Sequence, residues 1–390
     1  MKIRFEATPI ASEQLTGIGI HEKELCTAMI KSAPENEYEF TYFSARDRKT
    51  KQKIMKTYES DNVRIRELSF MTSGFYRIIQ CFLPIPYKWF FRGKPDVTHF
   101  FNFLIPPGVK GKAVVTVHDL AFVRYPETVL LKTRKLLSLR LKSTLKRADH
   151  IFVASEFTGE ELNEVYGVPK EKMTVVYAGV DRDLFRPREE SECADVLRKY
   201  GVKYKSYFFY LGTIEPRKNL KRLVNAYAAA CERLKSEGKD IPPLVLAGKL
   251  GWYYEEIEKA IKSTGNSAGI ITPGYLSDKE KAVLYSGAKA FLFPSLYEGF
   301  GIPVLEAMSS GVAVLTSNIS SLPEVAGDCA VLCNPESESE ISDGIYKLSV
   351  DGRLCEELSE KGYRRSDNFS WEKSAEVMLG EYRKLTEGIR

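Results

Sequence analysis

The sequence predicts an α/β protein of two domains, each a parallel sheet wrapped by helices. Three observations lead there. Short apolar runs of strand length alternate with longer stretches of helical periodicity, the pattern of parallel βαβ units. The chain has 390 residues, long for one domain and natural for two. Charge is unevenly divided: residues 1–188 hold 31 Lys and Arg against 22 Asp and Glu, a surplus of nine positive charges. The remainder holds 26 against 30, a surplus of four negative charges. A basic half and a mildly acidic half point to two domains with different partners.

In the first half, Lys2–Ala7, Ala113–Val117, Ile151–Ala154 and Thr174–Val176 read as strands, and Glu22–Lys31, Lys132–Arg147 and Glu156–Tyr166 as helices. In the second half, Tyr207–Leu211, Leu244–Ala247, Ala290–Phe293, Val312–Leu315 and Ala330–Leu332 read as strands. Helices are expected at Leu220–Leu234, Tyr254–Lys262, Lys279–Ser286 and Val304–Met308. The boundary falls in the charged, weakly periodic stretch Asp181–Lys205, giving domains over 1–183 and 184–369. A final segment, 370–390, opens on the cap candidate Ser370 and is amphipathic.

An apolar fraction of 44% and a charged fraction of 28% describe an ordinary globular protein. No stretch approaches the ~20 apolar residues of a membrane-spanning helix. The N-terminus opens directly as a strand, without a signal-peptide pattern. Seven scattered cysteines with no C-x-x-C pair read as free thiols of a reducing cytosol, so the expected location is cytoplasmic.

The most informative stretch is Phe293–Pro335, FPSLYEGFGIPVLEAMSSGVAVLTSNISSLPEVAGDCAVLCNP. Seven residues separate Glu298 from Glu306, with a Gly-Phe-Gly turn between them. Gly299 and Gly301 let the backbone come close to a ligand. Pro303 is placed like a first-turn helix proline. A strand, a glycine turn and a helix N-terminus make an anion site from free N–H groups and the helix dipole. Carboxylates touching a diphosphate would repel it, whereas they suit the hydroxyls of a sugar. The combination reads as a nucleotide-sugar site, against the plainer alternative of a strand–loop–helix without a ligand.

The block E-G-F-G-I-P-x-L-E-A-M followed by S-S-L-P-E-V-A-G-D resembles the signature of retaining GT-B glycosyltransferases of family GT4. The resemblance runs over nearly the whole chain. It implies the GT-B fold, two Rossmann-like domains facing a central cleft, with the last helix crossing back to the first domain. It also implies that Glu298 binds donor-sugar hydroxyls and Glu306 the ribose hydroxyls, while Gly299, Phe300, Gly301 and Ile302 hold sugar and phosphate through backbone groups.

Other pieces resemble the family in turn. Leu211–Leu220, LGTIEPRKNL, resembles its diphosphate loop, with Lys218 offsetting charge on the leaving group. The arginine often found shortly after the strand glycine is Thr213 here, and Arg217 is the candidate replacement. Gly17-Ile18-Gly19 resembles the first-domain glycine loop, with Ile20-His21 where relatives often carry Arg-Tyr. His118, at a strand end in VVTVHDLAFVRYPE, corresponds to a histidine that faces the donor sugar. His99 and Asn102 are candidates for the acceptor side, a structural role being the alternative. Tyr275 is a candidate cover for the nucleotide base, with core packing as the alternative. Asp181-Arg182-Asp183 spells D-x-D, but its place near the linker argues against a metal site, so no catalytic metal and no cofactor are expected.

Phe70–Lys94 mixes Phe75, Tyr76, Phe82, Trp89, Phe90 and Phe91 with Arg77, Lys88, Arg92 and Lys94. Leu131–Arg147 adds seven Lys and Arg and no acid. Aromatic and basic residues together suit an anionic membrane surface, hence a peripheral place on the inner face of the cell membrane and a glycan or lipid-linked acceptor. The alternative is a core loop beside a solvated helix, and no nucleic-acid module is visible. The V-H-D-L…R-Y-P-E block is like that of bacterial mannosyltransferases, which favours GDP-mannose as donor among NDP-sugars. An NDP-sugar epimerase of the same fold and an inactive sugar-nucleotide-binding subunit are the other readings.

Overall fold

The computed structural model describes all residues except 12–14, 45–53, 55, 56, 59, 81, 82 and 388–390, with backbone alone at 265–268. The chain forms two compact units. The first comprises Met1–Leu120, Leu131–Gly179 and the chain from Ser370 onward; the second comprises Ala121–Leu130 and Val180–Phe369.

The first unit is built on a seven-stranded, all-parallel sheet. Its strands are β1 (Lys2–Glu6), β2 (Glu37–Phe43), β3 (Val63–Leu68), β4 (Val97–Phe100), β5 (Lys112–Val117), β6 (His150–Val153) and β7 (Met173–Val175), in the order β3-β2-β1-β4-β5-β6-β7. Phe5 of β1 sits in register with Phe40 of β2 and His99 of β4, and the rings of Phe5, Phe40 and Phe101 pack at 5.4–5.7 Å.

Strands β2, β3 and β4 escape the sequence reading. For β2 and β3 the reason is charge: they read EYEFTYF and VRIREL, patterns that look half-solvated, while β4 is a run of only four residues. Glu39 of β2 is nevertheless buried, with Arg4 Nε 2.6 Å from one carboxylate oxygen and Arg66 Nε 2.9 Å from the other. Arg4 also donates to the carbonyls of Phe91 (3.0 Å) and Arg92 (2.8 Å). A buried ion pair is tolerable when its remaining protons find acceptors, as these do.

The helix Gly17–Ser32 packs against the C-terminal helix Trp371–Thr386 within this unit. Gly179 lies so close to that helix that a Cβ would stand 2.3 Å from the Trp371 nitrogen, so only glycine fits.

The second unit carries a six-stranded parallel sheet, again with helices between strands. Its strands are β8 (Phe208–Leu211), β9 (Leu244–Ala247), β10 (Ile270–Gly274), β11 (Ala290–Phe293), β12 (Ala313–Ser317) and β13 (Ala330–Cys333), in the order β10-β9-β8-β11-β12-β13. Both orders reverse direction once, between β1 and β4 and between β8 and β11. Ligands of open α/β sheets bind outside the carboxyl ends of strands at such reversals.

Just inside the second unit, the Asp181 carboxylate accepts from the backbone N–H of Asp183 and of Leu184, each at 3.0 Å. Arg182 pairs with Asp367. The D-x-D tripeptide is thus a self-capped turn.

Candidate active site

β8 and β11 are hydrogen-bonded neighbours, and the loops leaving them are stitched together. After β8 the chain makes a short 3₁₀ turn, Pro216–Lys218, opened by proline. It then passes through Asn219 at φ 61° before the helix Leu220–Ser236. Asn219 tolerates that left-handed conformation, and its Nδ2 donates to the carbonyls of Pro294 (3.0 Å) and Pro335 (2.7 Å). The Arg217 carbonyl accepts from Leu296 N (2.9 Å) and Ser295 Oγ (3.1 Å).

This stitching brings two cations onto one carboxylate. Lys218 Nζ lies 2.6 Å from Glu298 Oε1, which also accepts from Ser295 Oγ at 2.7 Å. Arg217 Nη1 lies 3.0 Å from Glu298 Oε2 and donates to the Tyr297 carbonyl at 2.7 Å. Its Nη2 lies 2.9 Å from Glu215 Oε1. Burial alone would raise the Glu298 carboxyl, but Lys218 and Arg217 hold it down at about 2. Two cations and two carboxylates therefore form a neutral, buried cluster at the sheet reversal.

The Gly-Phe-Gly loop is fixed from below by the S-S-L-P-E segment. Ser321 Oγ donates to the carbonyls of Glu298 (2.9 Å) and Phe300 (2.8 Å), and Glu298 N donates to Ser320 Oγ at 3.2 Å. The Phe300 ring is buried against Phe369, so this residue meets a ligand only through its backbone. Gly301, at φ 116°, precedes the helix Ile302–Ser309, and a Cβ there would stand 2.8 Å from Leu322. No side chain caps this helix start: Ile302 comes first, Pro303 carries no N–H, and the Val304 N–H already donates to the Gly301 carbonyl at 3.0 Å.

Glu306 points from the same helix into a different setting. It is half-buried, and its Oε2 accepts from Tyr285 OH at 3.0 Å. Burial pushes its carboxyl up to about 7, tempered by Lys281 and Tyr285. Tyr285 and Lys281 belong to the helix Asp278–Gly287, and Lys281 Nζ lies 5.9 Å from the centre of the Tyr275 ring. Tyr275, the residue after β10, is 63% exposed and not packed in the core.

In the first unit, Gly17 and Gly19 form the first turn of the helix Gly17–Ser32, capped by Thr16. A Cβ on Gly19 would stand 2.8 Å from the Pro9 carbonyl, whereas Gly17 is open to solvent. His118 Nε2 donates to the Phe101 carbonyl at 2.7 Å, which leaves the lone pair on Nδ1. Burial lowers its pKa, so His118 is a neutral acceptor. The His21 ring lies edge-on to it, 5.1 Å away, buried, with neither nitrogen bonded among the described residues.

His99 corrects an expectation. Its side chain is 0% exposed, Nδ1 is 2.5 Å from Tyr382 OH and Nε2 is 2.8 Å from Thr116 Oγ1. It joins sheet to C-terminal helix inside the core and faces no acceptor. Asn102 is half-buried in the loop after β4.

Residues 197–365 match the family described as glycosyl transferases group 1, and residues 16–184 match glycosyltransferase family 4. The chain is 30% identical to O-antigen chain mannosyltransferase B of Escherichia coli over 99% of this chain and 100% of that one. The chain belongs to glycosyltransferase family 4. It is also 32% identical to the serotype-specific mannosyltransferase WbdA of Escherichia coli, over 76% of this chain and 38% of that longer protein. Its fold is that of GT-B enzymes: the Anabaena HepE structure with UDP and glucose superposes with a TM-score of 0.73 at 17% identity, covering 98% of this chain and 100% of that one.

Around the expected residues, this family 4 member has supports that the sequence reading missed. Glu215 anchors Arg217, Ser295 shares the Glu298 oxygen, and Tyr285 holds Glu306. The signal for Glu215 was its place two residues before Arg217, legible only once the 3₁₀ turn is known. Ala121–Leu130, the segment carrying R-Y-P-E, belongs to the second unit. Its Tyr125 ring lies 5.7 Å from Tyr297, and Trp252 donates to the Thr128 carbonyl at 2.6 Å.

The basic–aromatic region divides. Phe70, Phe75, Trp89, Leu131 and Leu139 are exposed, Trp89 by 66%. Tyr76 and Phe91 are instead buried against Phe43, because their rings fill the space beyond β2. Phe82 lies outside the described residues. No helix among the described residues is long and apolar enough to cross a membrane.

Proposed function

We propose that this glycosyltransferase moves a hexose, by preference mannose from GDP-mannose, from an NDP-α-sugar to a glycan or lipid-linked acceptor, with retention of configuration, in cell-surface polysaccharide synthesis. The observation that carries the reading is the Arg217–Lys218–Glu298 cluster at the β8/β11 reversal, beside the uncapped helix start at Ile302. Its cations suit a diphosphate and its carboxylate suits sugar hydroxyls. The mannosyltransferases O-antigen chain mannosyltransferase B and WbdA among the relatives support the choice of sugar and pathway class.

In this reading Lys218, Arg217 and the N–H groups of Gly301 and Ile302 take up charge as the bond from the anomeric carbon to the diphosphate oxygen breaks. The acceptor oxygen attacks the same face, and its proton passes to the departing diphosphate. Glu298 holds the donor hydroxyls, and His118 Nδ1 offers an acceptor to a sugar hydroxyl. Glu306 takes the ribose hydroxyls, and Tyr275 covers the base. Gly17 and Gly19 are read as the first-unit loop that approaches the phosphates, and Asn102 as an acceptor-side residue. No cofactor enters, and Lys218 with backbone N–H groups does the electrostatic work of a metal. The exposed apolar and basic side chains of the first unit dock on anionic lipid.

A panel of GDP- and UDP-sugars tests the donor by thermal stabilisation, with GDP-mannose expected to stabilise most. Product stereochemistry by NMR is expected to be α. Activity is expected to survive excess EDTA; complete loss restored by a divalent cation would overturn the metal-free reading.

A further inference from the structure

The R-Y-P-E block has contacts in the second unit but no role in the reading above. It lies in Ala121–Leu130, which starts three residues after His118 and is counted with the second unit although the chain on both sides of it belongs to the first. The segment is stiff in its own right. Its short helix, Ala121–Arg124, is followed by Tyr125, whose N–H donates to the Ala121 carbonyl at 2.8 Å. A 3₁₀ turn, Pro126–Thr128, comes next, with proline at its start, where the fixed φ of the ring suits it. Thr128 ties back: its N and its Oγ1 donate to the Tyr125 carbonyl at 3.0 and 2.7 Å.

Two contacts fasten this segment, and they fall on the two sides of the charged cluster. On one side the Tyr125 ring lies 5.7 Å from the ring of Tyr297. Tyr297 is 2% exposed and directly precedes Glu298, and its carbonyl accepts from Arg217 Nη1 at 2.7 Å. On the other side Trp252 Nε1 donates to the Thr128 carbonyl at 2.6 Å. Trp252 belongs to the loop after β9, which runs along the loop after β8. Ile214 N donates to the Lys249 carbonyl at 2.9 Å, and Gly251 N to the Ile214 carbonyl at 3.0 Å. A Cβ on Gly251 would stand 2.7 Å from the Thr213 methyl and 3.3 Å from Glu215 Cβ. The two loops therefore touch where Glu215 reaches Arg217. One contact braces the Glu298 side of Arg217 and the other its Glu215 side.

We propose that Tyr125 and Trp252 are positioning residues for the Arg217–Glu298 pair, holding through Ala121–Leu130 the loops on either side of it so that both charges stand in place when the donor reacts. The inference rests on the donor-site reading above. A buried ion cluster is favourable only at good geometry. A small misplacement of groups around a reacting bond costs rate more than binding. A loop that merely packs is the alternative. Its loss would lower the melting temperature without passing through Arg217.

The test has two readouts on the full chain. Hydrogen exchange followed by mass spectrometry, without donor, reads the order of the loops. Tyr125→Ala is expected to speed exchange across 214–218 and 295–298 about tenfold, and Trp252→Phe, which keeps a ring and removes the N–H, about threefold, with β12 unchanged. Steady-state kinetics reads the consequence. Tyr125→Ala should lower kcat about tenfold while donor KM moves less than about threefold, and Tyr125→Phe should restore most of the turnover. In an Arg217→Ala background the same Tyr125→Ala change should cost less than about twofold, because its effect passes through Arg217. The proposal is overturned if exchange in the two loops does not change, if Tyr125→Ala turns over like the wild type, if Tyr125→Phe is as slow as Tyr125→Ala, or if the loss is as large without Arg217. Faster exchange in the variants of a wild type that uses no NDP-sugar would uphold the brace and sink the donor reading. An active wild type whose loops ignore both substitutions would sink the brace and spare the donor reading.

Discussion

The Arg217–Lys218–Glu298 cluster of the second unit and the strand-end edge of the first meet the same problem, buried polar groups, in opposite ways. In the cluster every charge has a partner: Glu298 holds three hydrogen-bond donors, and Arg217 spans two carboxylates. At the edge of the first unit, His21, Glu22 and the Gln80 oxygen are buried with none among the described residues. A paired cluster is rigid and ready to meet charge that develops during reaction. Unpaired acceptors carry a desolvation cost. The difference teaches that the second unit pairs its buried charges within itself, whereas the first leaves buried polar atoms unpaired among the described residues.

The sharpest way to break that comparison is Lys218→Ala. Loss of one electrostatic donor at the leaving group is expected to lower kcat by roughly 10²–10³-fold, with a much smaller change in acceptor KM. Turnover near wild type would show that the cluster is structural.

On the first unit, replacing Lys132, Lys135 and Lys142 with Ser removes three exposed cations from the helix Leu131–Arg147. Each is worth about 1 kcal/mol at an anionic surface, so vesicle binding at low salt should weaken up to ~10²-fold. Activity on a short water-soluble acceptor should persist. A wild-type protein that ignores anionic vesicles at low salt would make this surface only a solvated face.

Glu298→Gln sharpens the comparison with an effect of opposite sign. The neutral cluster becomes cationic, so the free nucleoside diphosphate should bind tighter, by roughly fivefold to tenfold, on the order of 1 kcal/mol of partly screened attraction. Sugar transfer should fall, because the hydroxyls lose their ionised acceptor. Isothermal titration with GDP and UDP reads the first effect and steady-state kinetics the second. Weaker diphosphate binding would mean that Glu298 does not compete for the two cations.

The smallest effect belongs to Glu306, whose carboxyl stands at about 7. Ribose hydroxyls favour the carboxylate, so donor KM should rise a few-fold as pH falls below 7, and Glu306→Gln should flatten that dependence. The stability effect runs the other way. A carboxyl raised in the folded state costs stability as pH climbs from its unfolded value near 4 towards 7. Glu306→Gln should therefore gain on the order of 1 kcal/mol relative to wild type at pH 8 compared with pH 5, by thermal melts. A pH-independent donor KM in the wild type would place the ribose elsewhere.

Much of this was legible along the chain. The apolar run Ala290–Phe293, the Gly-Phe-Gly turn and Pro303 specify strand, turn and helix start by local chemistry alone, and they stand where expected. Glu298 was legible in the local pattern, and Lys218 through the resemblance to the family's diphosphate loop. Their 2.6 Å contact spans eighty residues and depends on β8 and β11 being neighbours. His99 shows the limit from the other side. A histidine and an asparagine after a short apolar run look the same in sequence whether they end in a core or a cleft.

By itself, then, the sequence determined the alternation of strands and helices, the two-domain organisation and the residue types of the donor loops, because periodicity, glycine and proline act within a few bonds. Tertiary structure decided three further matters. It buried Glu39 between Arg4 and Arg66, making a core strand of a charged segment. It gave two glutamates of one motif opposite characters, Glu298 held at about 2 by two cations and Glu306 raised to about 7 by burial. And it buried Gln80 Oε1 with no partner among the described residues. Each outcome depends on the dielectric and the charges supplied by residues distant in the chain, and those are set only when the sheets assemble.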